Sequence, residues 1–306
     1  MFKSYKVRKF SISDIEAITG IKAHTIRIWE QRYAFVVPKR TETNIRYYDD
    51  KDLCFFLNIS NLSENGYKIS EIAKMSAEEM VSVVSLLSAD SCNPCVHINA
   101  LTDSTLHFNE AKFLSTLAYC IEAKGLENTM QETIFPFMRK MGVMWQTGVI
   151  TPAHEHFSTD LIKRKLICTI DSLPDCDDLQ AKRFLLFLPS TETHELGLLF
   201  AHYIVKSYGH QVLYLGQSIP YEDLDVVSQA YQPDFCITCL TSVLIDNDVN
   251  NVIDKIVENL HGQKLVVSGP LILNSTLHPR KNMFILKNLI EFSEFVNSRI
   301  VAHEYK

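Results

Sequence analysis

No apolar run in this chain approaches the roughly 20 residues of a helical membrane span. Its start, Met1-Phe-Lys-Ser-Tyr-Lys-Val-Arg-Lys-Phe10, lacks the apolar core of a secretion signal. The expectation is a cytoplasmic protein with no membrane partner. A disulfide framework is missing too: eight cysteines lie scattered along the chain, which suits a reduced compartment. Two pairs have Cys-x-x-Cys spacing, Cys92/Cys95 and Cys236/Cys239. The first pair falls in a stretch that reads as linker, with only His97 close by. The second falls in a stretch that reads as a buried strand, where alternate residues face opposite ways. A zinc site needs about four ligands, so neither pair reads as a metal site. No catalytic triad, phosphate loop or carboxylate pair in convincing context appears, and the chain does not read as an enzyme.

What the chain does have is length for more than one core. With 306 residues, 46% of them hydrophobic, two or three folded domains are expected. Charge is spread unevenly beneath a net value of −6. Residues 1–75 hold 13 Lys and Arg against 9 Asp and Glu, whereas the remainder holds 17 against 27. A basic module on an acidic body points to a polyanion partner for that module alone.

In that module, Ser11 precedes Ile12, Ile15 and Ile18, and Gly20 follows them, which predicts a short capped helix. A second helix is expected over Ile21–Tyr33. Two short helices around a tight glycine turn form a helix-turn-helix. Lys22, Arg27 and Arg32 supply cations beside Tyr33, and His24 and Thr25 lie near the helix start, where base edges are reached. Pro38 and the polar run to Asn44 suit a small hairpin carrying Lys39, Arg40, Arg46 and Tyr47. Cations, turn and hairpin agree on double-stranded DNA.

These residues resemble the MerR family of transcriptional regulators: the Thr25-Ile-Arg-Ile-Trp-Glu-Gln-Arg-Tyr33 helix, the Pro38-Lys-Arg40 wing, the Ile45-Arg-Tyr-Tyr48 strand, Asp52-Leu53, and Asn65-Gly-Tyr-Lys-Ile-Ser-Glu-Ile72. The resemblance implies a dimer on a pseudo-palindromic promoter, with the second helix in the major groove and the wing on the backbone.

The rest of the chain extends the reading to a multidomain α and α/β protein. Its expected parts are an N-terminal winged helix-turn-helix (1–75), a helix and linker (76–108), a central four-helix bundle (109–175) and a C-terminal Rossmann-like five-strand parallel α/β domain (180–306). The bundle shows helical patterns starting near Asn109 and Glu127, one containing Phe135–Trp145, and one from Pro152 to Leu173. Trp145 ends the third and Ala153-His-Glu-His-Phe157 begins the fourth, so Trp145, Glu155 and His156 are candidates to face one cavity; core packing and helix capping are the plainer reading. Strands are expected over Arg183–Leu188, Gln211–Tyr214, Asp234–Leu240, Lys264–Val267 and Met283–Leu286. The polar break Pro189-Ser-Thr-Glu-Thr-His-Glu-Leu-Gly197 follows the first, at the edge where open α/β sheets place ligands. His194 there can offer a ring nitrogen to a metal while a nearby carboxylate or hydroxyl fixes its tautomer. The alternative is a solvated histidine, with Glu195 capping the next helix.

Glu192-x-His194-x-x-Gly197, Ser242-x-Leu244 and Gly269 resemble the cobalamin-binding domain shared with methionine synthase, with Glu for the usual Asp and Pro270 for the second glycine. The resemblance implies that His194 is the lower axial cobalt ligand, and that the displaced tail lies past Gly197, Ser242 and Gly269. In domain order the chain looks like the CarH/LitR light-responsive repressors, where a Trp and a Glu-His pair cover adenosylcobalamin; here these are Trp145, Glu155 and His156. At Gln146 the family photosensors carry a histidine for the cobalt's upper position, and His154 is the nearest substitute. The implied protein is a repressor whose oligomerisation, as dimer or tetramer, and promoter binding answer to cobalamin. Two rivals remain: a MerR regulator whose C-terminal domain senses another ligand or only dimerises, and a corrinoid methyl carrier, which has no use for a winged helix.

Overall fold

The computed structural model describes residues 9–33, 37–41, 43–89, 94–176, 178, 180–190, 192–241 and 248–297. They fall into two compact units, 1–161 and 162–306.

In the first unit, α1 (Ile12–Thr19) and α2 (Ala23–Tyr33) flank the expected glycine turn. Ser11 and Asp14 cap α1 reciprocally, and Gly20 closes it at φ 77°, a left-handed conformation that costs glycine little. Strands β1 (Lys39–Arg40) and β2 (Arg46–Tyr47) pair antiparallel, and Phe10 and Tyr48 extend the ribbon through a bridge. Helix α3 (Asp50–Glu64), capped by Asp49, then supplies Leu53, Phe56 and Ile59 to a core shared with Ile15, Ile18 and Ile26.

After α4 (Ile69–Ile72) and α5 (Ala77–Ala89) comes the first correction. Part of the expected 76–108 linker is a further helix, α6 (Pro94–Leu106), packed on α3 and on α7 (Glu110–Thr129). Its buried face includes Asn99, Thr102, Ser104 and Thr105, and the three hydroxyls donate to carbonyls one turn back. Hydroxyls satisfied in this way are buried without an apolar pattern to announce them. A second correction follows. The patterns expected at Glu127 and Phe135 form one run: Gly125, at φ 79°, kinks α7, a π-helical turn spans Met130–Ile134, and α8 (Phe135–Gln146) continues directly. Four helices are indeed present between 94 and 171, but the first is α6. Phe113, Phe137, Met141 and Met144 lie in the bundle core, and α9 (Pro152–Asp171) opens after a turn at Gly148.

In the second unit, β3 (Arg183–Pro189), β4 (Gln211–Ile219), β5 (Phe235–Cys239), β6 (Lys264–Ser268) and β7 (Met283–Ile285) form one parallel sheet in the order β4-β3-β5-β6-β7. Helices α10 (Leu196–Ser207), α11 (Tyr221–Tyr231), α12 (Val249–Asn259), α13 (Pro270–Leu273) and α14 (Leu289–Asn297) alternate with the strands. This is the doubly wound pattern read from the apolar runs. β3 is buried along nearly its whole length, because both its neighbours and both faces are covered. The chain leaves β3 for β4 on one side and returns to β5 on the other. The loops after β3 and β5 therefore diverge at a topological switch point, where such sheets hold ligands.

Candidate functional site

The loop after β3 is organised around one carboxylate. Glu192 is fully buried, and Oε1 accepts from the backbone N–H of Thr193 (2.9 Å) and His194 (2.8 Å). Oε2 accepts from the N–H of Thr241 (2.7 Å), which joins the loop after β5 to the loop after β3. Oε1 also accepts from Nδ1 of His194, at 2.7 Å. A carboxylate can only accept, so Nδ1 carries the proton and the lone pair sits on Nε2. The His194 ring is 56% exposed, while the group that orients it is sealed. That is the arrangement in which a histidine offers Nε2 to a metal.

Around the loop, two glycines leave space that a side chain would fill. A Cβ on Gly197 would stand 3.0 Å from the Cys239 sulfur, and one on Gly269 would stand 2.4 Å from the Leu240 carbonyl oxygen. Gly269 also has φ 106°. Pro270, in place of a second glycine, opens α13 at its first position. Burial pushes the Cys239 thiol up to about 11, so it is a packing group at neutral pH. Ser242 and Leu244, expected beside these glycines, lie outside the described residues. Among the described residues no group of three or more His, Cys, Asp and Glu side chains could hold a bare metal ion. A lone histidine donor fits a metal that brings its other ligands with it, as a macrocycle does.

Residues expected on the opposite face lie at the α8–α9 turn. Trp145 is 58% exposed near the end of α8, and Glu155 and His156 pair in the first turn of α9 at 2.7 Å. His154, considered as a substitute for the histidine missing at Gln146, is corrected by the structure. It is buried, stacked on Phe108, and its Nδ1 accepts from the Thr151 N–H at 3.2 Å. The proton is thus on Nε2, and the ring is a helix-start core group.

On the N-terminal module, Lys22, His24, Arg27 and Arg32 lie exposed along α2, with Thr25 and Tyr33 half-buried beside them. On the hairpin, Lys39, Arg40 and Arg46 are exposed and Tyr47 is half-buried. Several of these cations already have carboxylate partners. Lys39 binds Asp49 and Asp52, which hold its ammonium well above the usual lysine range, and Lys22 reaches Glu16 at 3.1 Å. Arg46 approaches Glu30 at 3.7 Å, and Arg40 grips the Asn44 carbonyl and side chain. The basic count of the module therefore overstates the charge available to a polyanion. Glu195 has long-range partners, Lys163 and Tyr214, that no local sequence pattern marks.

Comparison with known proteins agrees with both halves. Residues 10–79 match the MerR HTH family regulatory protein model, and residues 97–168 match the B12 binding domain model, which begins in the unexpected helix α6. The chain is 27% identical over 235 residues to the HTH-type transcriptional repressor CarH of Myxococcus xanthus, covering 74% of this chain and 77% of that one. To the repressor CarA of the same organism it is 28% identical over 239 residues, covering 73% of each. Among solved structures, the monomethylamine corrinoid protein of Methanosarcina barkeri aligns with a TM-score of 0.45 at 11% identity, over 64% of this chain and 94% of that one. The chain is thus a DNA-binding transcription regulator that joins a MerR-type helix-turn-helix to a B12-binding region. More narrowly, it is similar to the CarH and CarA repressors over about three quarters of its length.

Proposed function

We propose that this chain is a cytoplasmic repressor that binds promoter DNA as a homo-oligomer and holds it only in one cobalamin-loaded state. The observation that carries the reading is the buried Glu192 beneath His194, which puts a ring lone pair at the mouth of the switch point. In this reading His194 Nε2 would meet the cobalt, and Glu192, by holding the proton of the neutral ring on Nδ1, would leave the Nε2 lone pair aimed at it. Gly197 and Gly269 would leave room for the displaced tail, with Ser242 and Leu244 assigned to cobalamin by the resemblance of their motif. Trp145, Glu155 and His156 would shelter the upper ligand, which the resemblance to CarH favours as adenosyl. When bound, that cofactor supplies a cobalt–carbon bond that light breaks. Ligand binding then stabilises the DNA-holding assembly by linkage, and loss of the adenosyl group releases it. Lys22, Arg27, Arg32, Arg40 and Tyr47 bind the phosphates, with His24 and Thr25 at base edges.

Gln146 and the core role of His154 favour a second reading, in which cobalamin occupancy alone, and not light, is the signal. A gel-shift assay in darkness with and without adenosylcobalamin, then after illumination, separates the two. Binding that needs the cofactor and is lost on illumination supports the light sensor; binding that needs the cofactor but ignores light supports the second reading. Indifference to both overturns the proposal. Arg27→Ala should weaken DNA binding and lower the salt-dependence slope by about 1.

A further inference from the structure

Glu195, the residue after His194, stands at the N-cap position of α10, where an acidic side chain ordinarily turns back onto the helix N–H groups. Here it makes no cap hydrogen bond. Its carboxylate runs sideways instead, with Oε2 at 2.6 Å from Lys163 Nζ on α9 and Oε1 accepting from the Tyr214 hydroxyl on β4 at 2.9 Å. The pair is sheltered: the Glu195 side chain is 15% exposed and that of Lys163 30%. Gly216 beside it on β4 has φ 81°, a conformation that favours glycine. Tyr214 in turn stacks on His202 of α10, with ring centroids 5.0 Å apart. Three elements therefore converge on the backbone that directly follows the histidine. A solvated surface pair is worth little, but a sheltered one bonded through both oxygens fixes geometry, and losing one partner strands a charge.

We propose that Glu195 is a positioning residue for the cobalt-binding histidine: with Lys163 and Tyr214 it clamps the chain after His194 to α9 and β4. This deepens the cobalamin reading above and rests on it. His194 is then held twice. Glu192 orients the ring through Nδ1, and Glu195 anchors the peptide on which the ring is mounted. The anchor matters for signalling as well as binding, because α9 is one continuous helix from the Glu155-His156 turn to Lys163 and beyond. A displacement of the histidine loop on binding would be passed to that helix through the ion pair.

The test uses full-length protein and adenosylcobalamin in darkness, reading affinity, the base-off and histidine-on absorption signature, and the thermal midpoint of the unliganded chain. Lys163→Met and Glu195→Gln should each weaken binding at least tenfold and lower the histidine-on fraction of what is bound. Lys163→Arg, which keeps the charge, should restore both, and Tyr214→Phe should cost about threefold. Lys163 sits at a partly exposed helical position, so its variants remain informative if Glu195→Gln fails to fold. Wild-type affinity and signature in Lys163→Met overturn the inference, whether or not the thermal midpoint falls. If the wild type itself retains no cobalamin, the proposed function falls and takes this inference with it. If only the wild-type and variant spectra coincide, the positioning role alone is lost.

Discussion

Two Glu-His pairs in this protein have the same Nδ1 to carboxylate separation, 2.7 Å, and almost nothing else in common. Glu192 is fully buried, and its two oxygens serve three backbone N–H groups besides the His194 ring. Glu155 is 36% exposed, His156 is 79% exposed, and the carboxylate also accepts from the Thr159 hydroxyl. A distance alone does not distinguish them; the environment does. The first pair is finished before any ligand arrives, because removing the carboxylate would leave buried donors unpaired. The second is a solvated contact whose rearrangement costs little. The loop that carries His194 is therefore rigid before it binds anything, whereas the turn that carries His156 can rearrange at little cost.

The comparison breaks most directly at Glu192. Glu192→Gln replaces an acceptor oxygen by an amide donor facing backbone N–H groups, and should cost roughly 3 kcal/mol of stability. It should also weaken cobalamin binding about 10–100-fold through the loss of ring orientation. Glu155→Gln should leave stability within about 0.5 kcal/mol of wild type. Urea unfolding of both variants reads the contrast; equal stabilities would mean that the buried carboxylate is not the keystone of its loop.

Next in size is the glycine cradle. Gly269→Ala forces a Cβ to 2.4 Å from a backbone carbonyl at φ 106°, a contact that cannot relax without moving the β5 end. A loss of about 3 kcal/mol is expected. Gly197→Ala meets only the Cys239 sulfur at 3.0 Å, which a small side-chain shift relieves, and should cost about 1 kcal/mol. If both variants unfold at the same urea concentration, the cradle is less tightly built around Leu240 than its geometry implies.

A third prediction concerns the junction of α3, α6 and α8. Lys140 donates to Asn99 Oδ1 at 2.6 Å, and Asn99 in turn bonds Asn61 of α3. Burial holds the Lys140 ammonium down to about 8, against the pull of Glu64 and Cys95. The folded value lies below the unfolded one, so the folded chain gives up this proton first. Its penalty is full below pH 8, and stability rises as pH climbs from about 8 towards the ordinary lysine value of roughly 10.4. Lys140→Met should lack that rise, so the stability difference between wild type and variant should change by up to about 3 kcal/mol across the window. Parallel profiles would place the ammonium in contact with solvent.

How much of this was readable beforehand follows from where each signal lives. The N-terminal module announced itself through local chemistry, with Ser11 and Asp14 at one helix start, Gly20 at its end and basic side chains beyond. The sheet was equally plain, because a strand such as Phe184–Leu188 buried on both faces has to be continuously apolar. Helix α6 was missed because Thr102, Ser104 and Thr105 are buried yet polar, their hydroxyls absorbed by their own helix. The patterns at Glu127 and Phe135 read as two helices because the π-helical turn Met130–Ile134 between them, which carries the chain through without a break, shifts the helical period. Of the site, His194 and Glu192 were legible as a two-residue spacing. Lys163 was not, for its partner lies 32 positions away and no local pattern links them.

The smallest expected effect on stability is at His156. With 79% of its side chain exposed and one carboxylate contact, His156→Ala should shift unfolding by less than about 0.5 kcal/mol. The sharper reading comes from comparing ligands. If this turn covers the upper face, the variant should bind adenosylcobalamin about tenfold more weakly and bind hydroxocobalamin, which has no adenosyl group to cover, with little change. His194→Ala should weaken both alike, since the lower ligand does not distinguish them. An equal loss for both cofactors in His156→Ala would mean that this turn supports the fold of the site rather than its specificity, and the division between a rigid lower ligand and an adaptable upper cover would fail at its adaptable end.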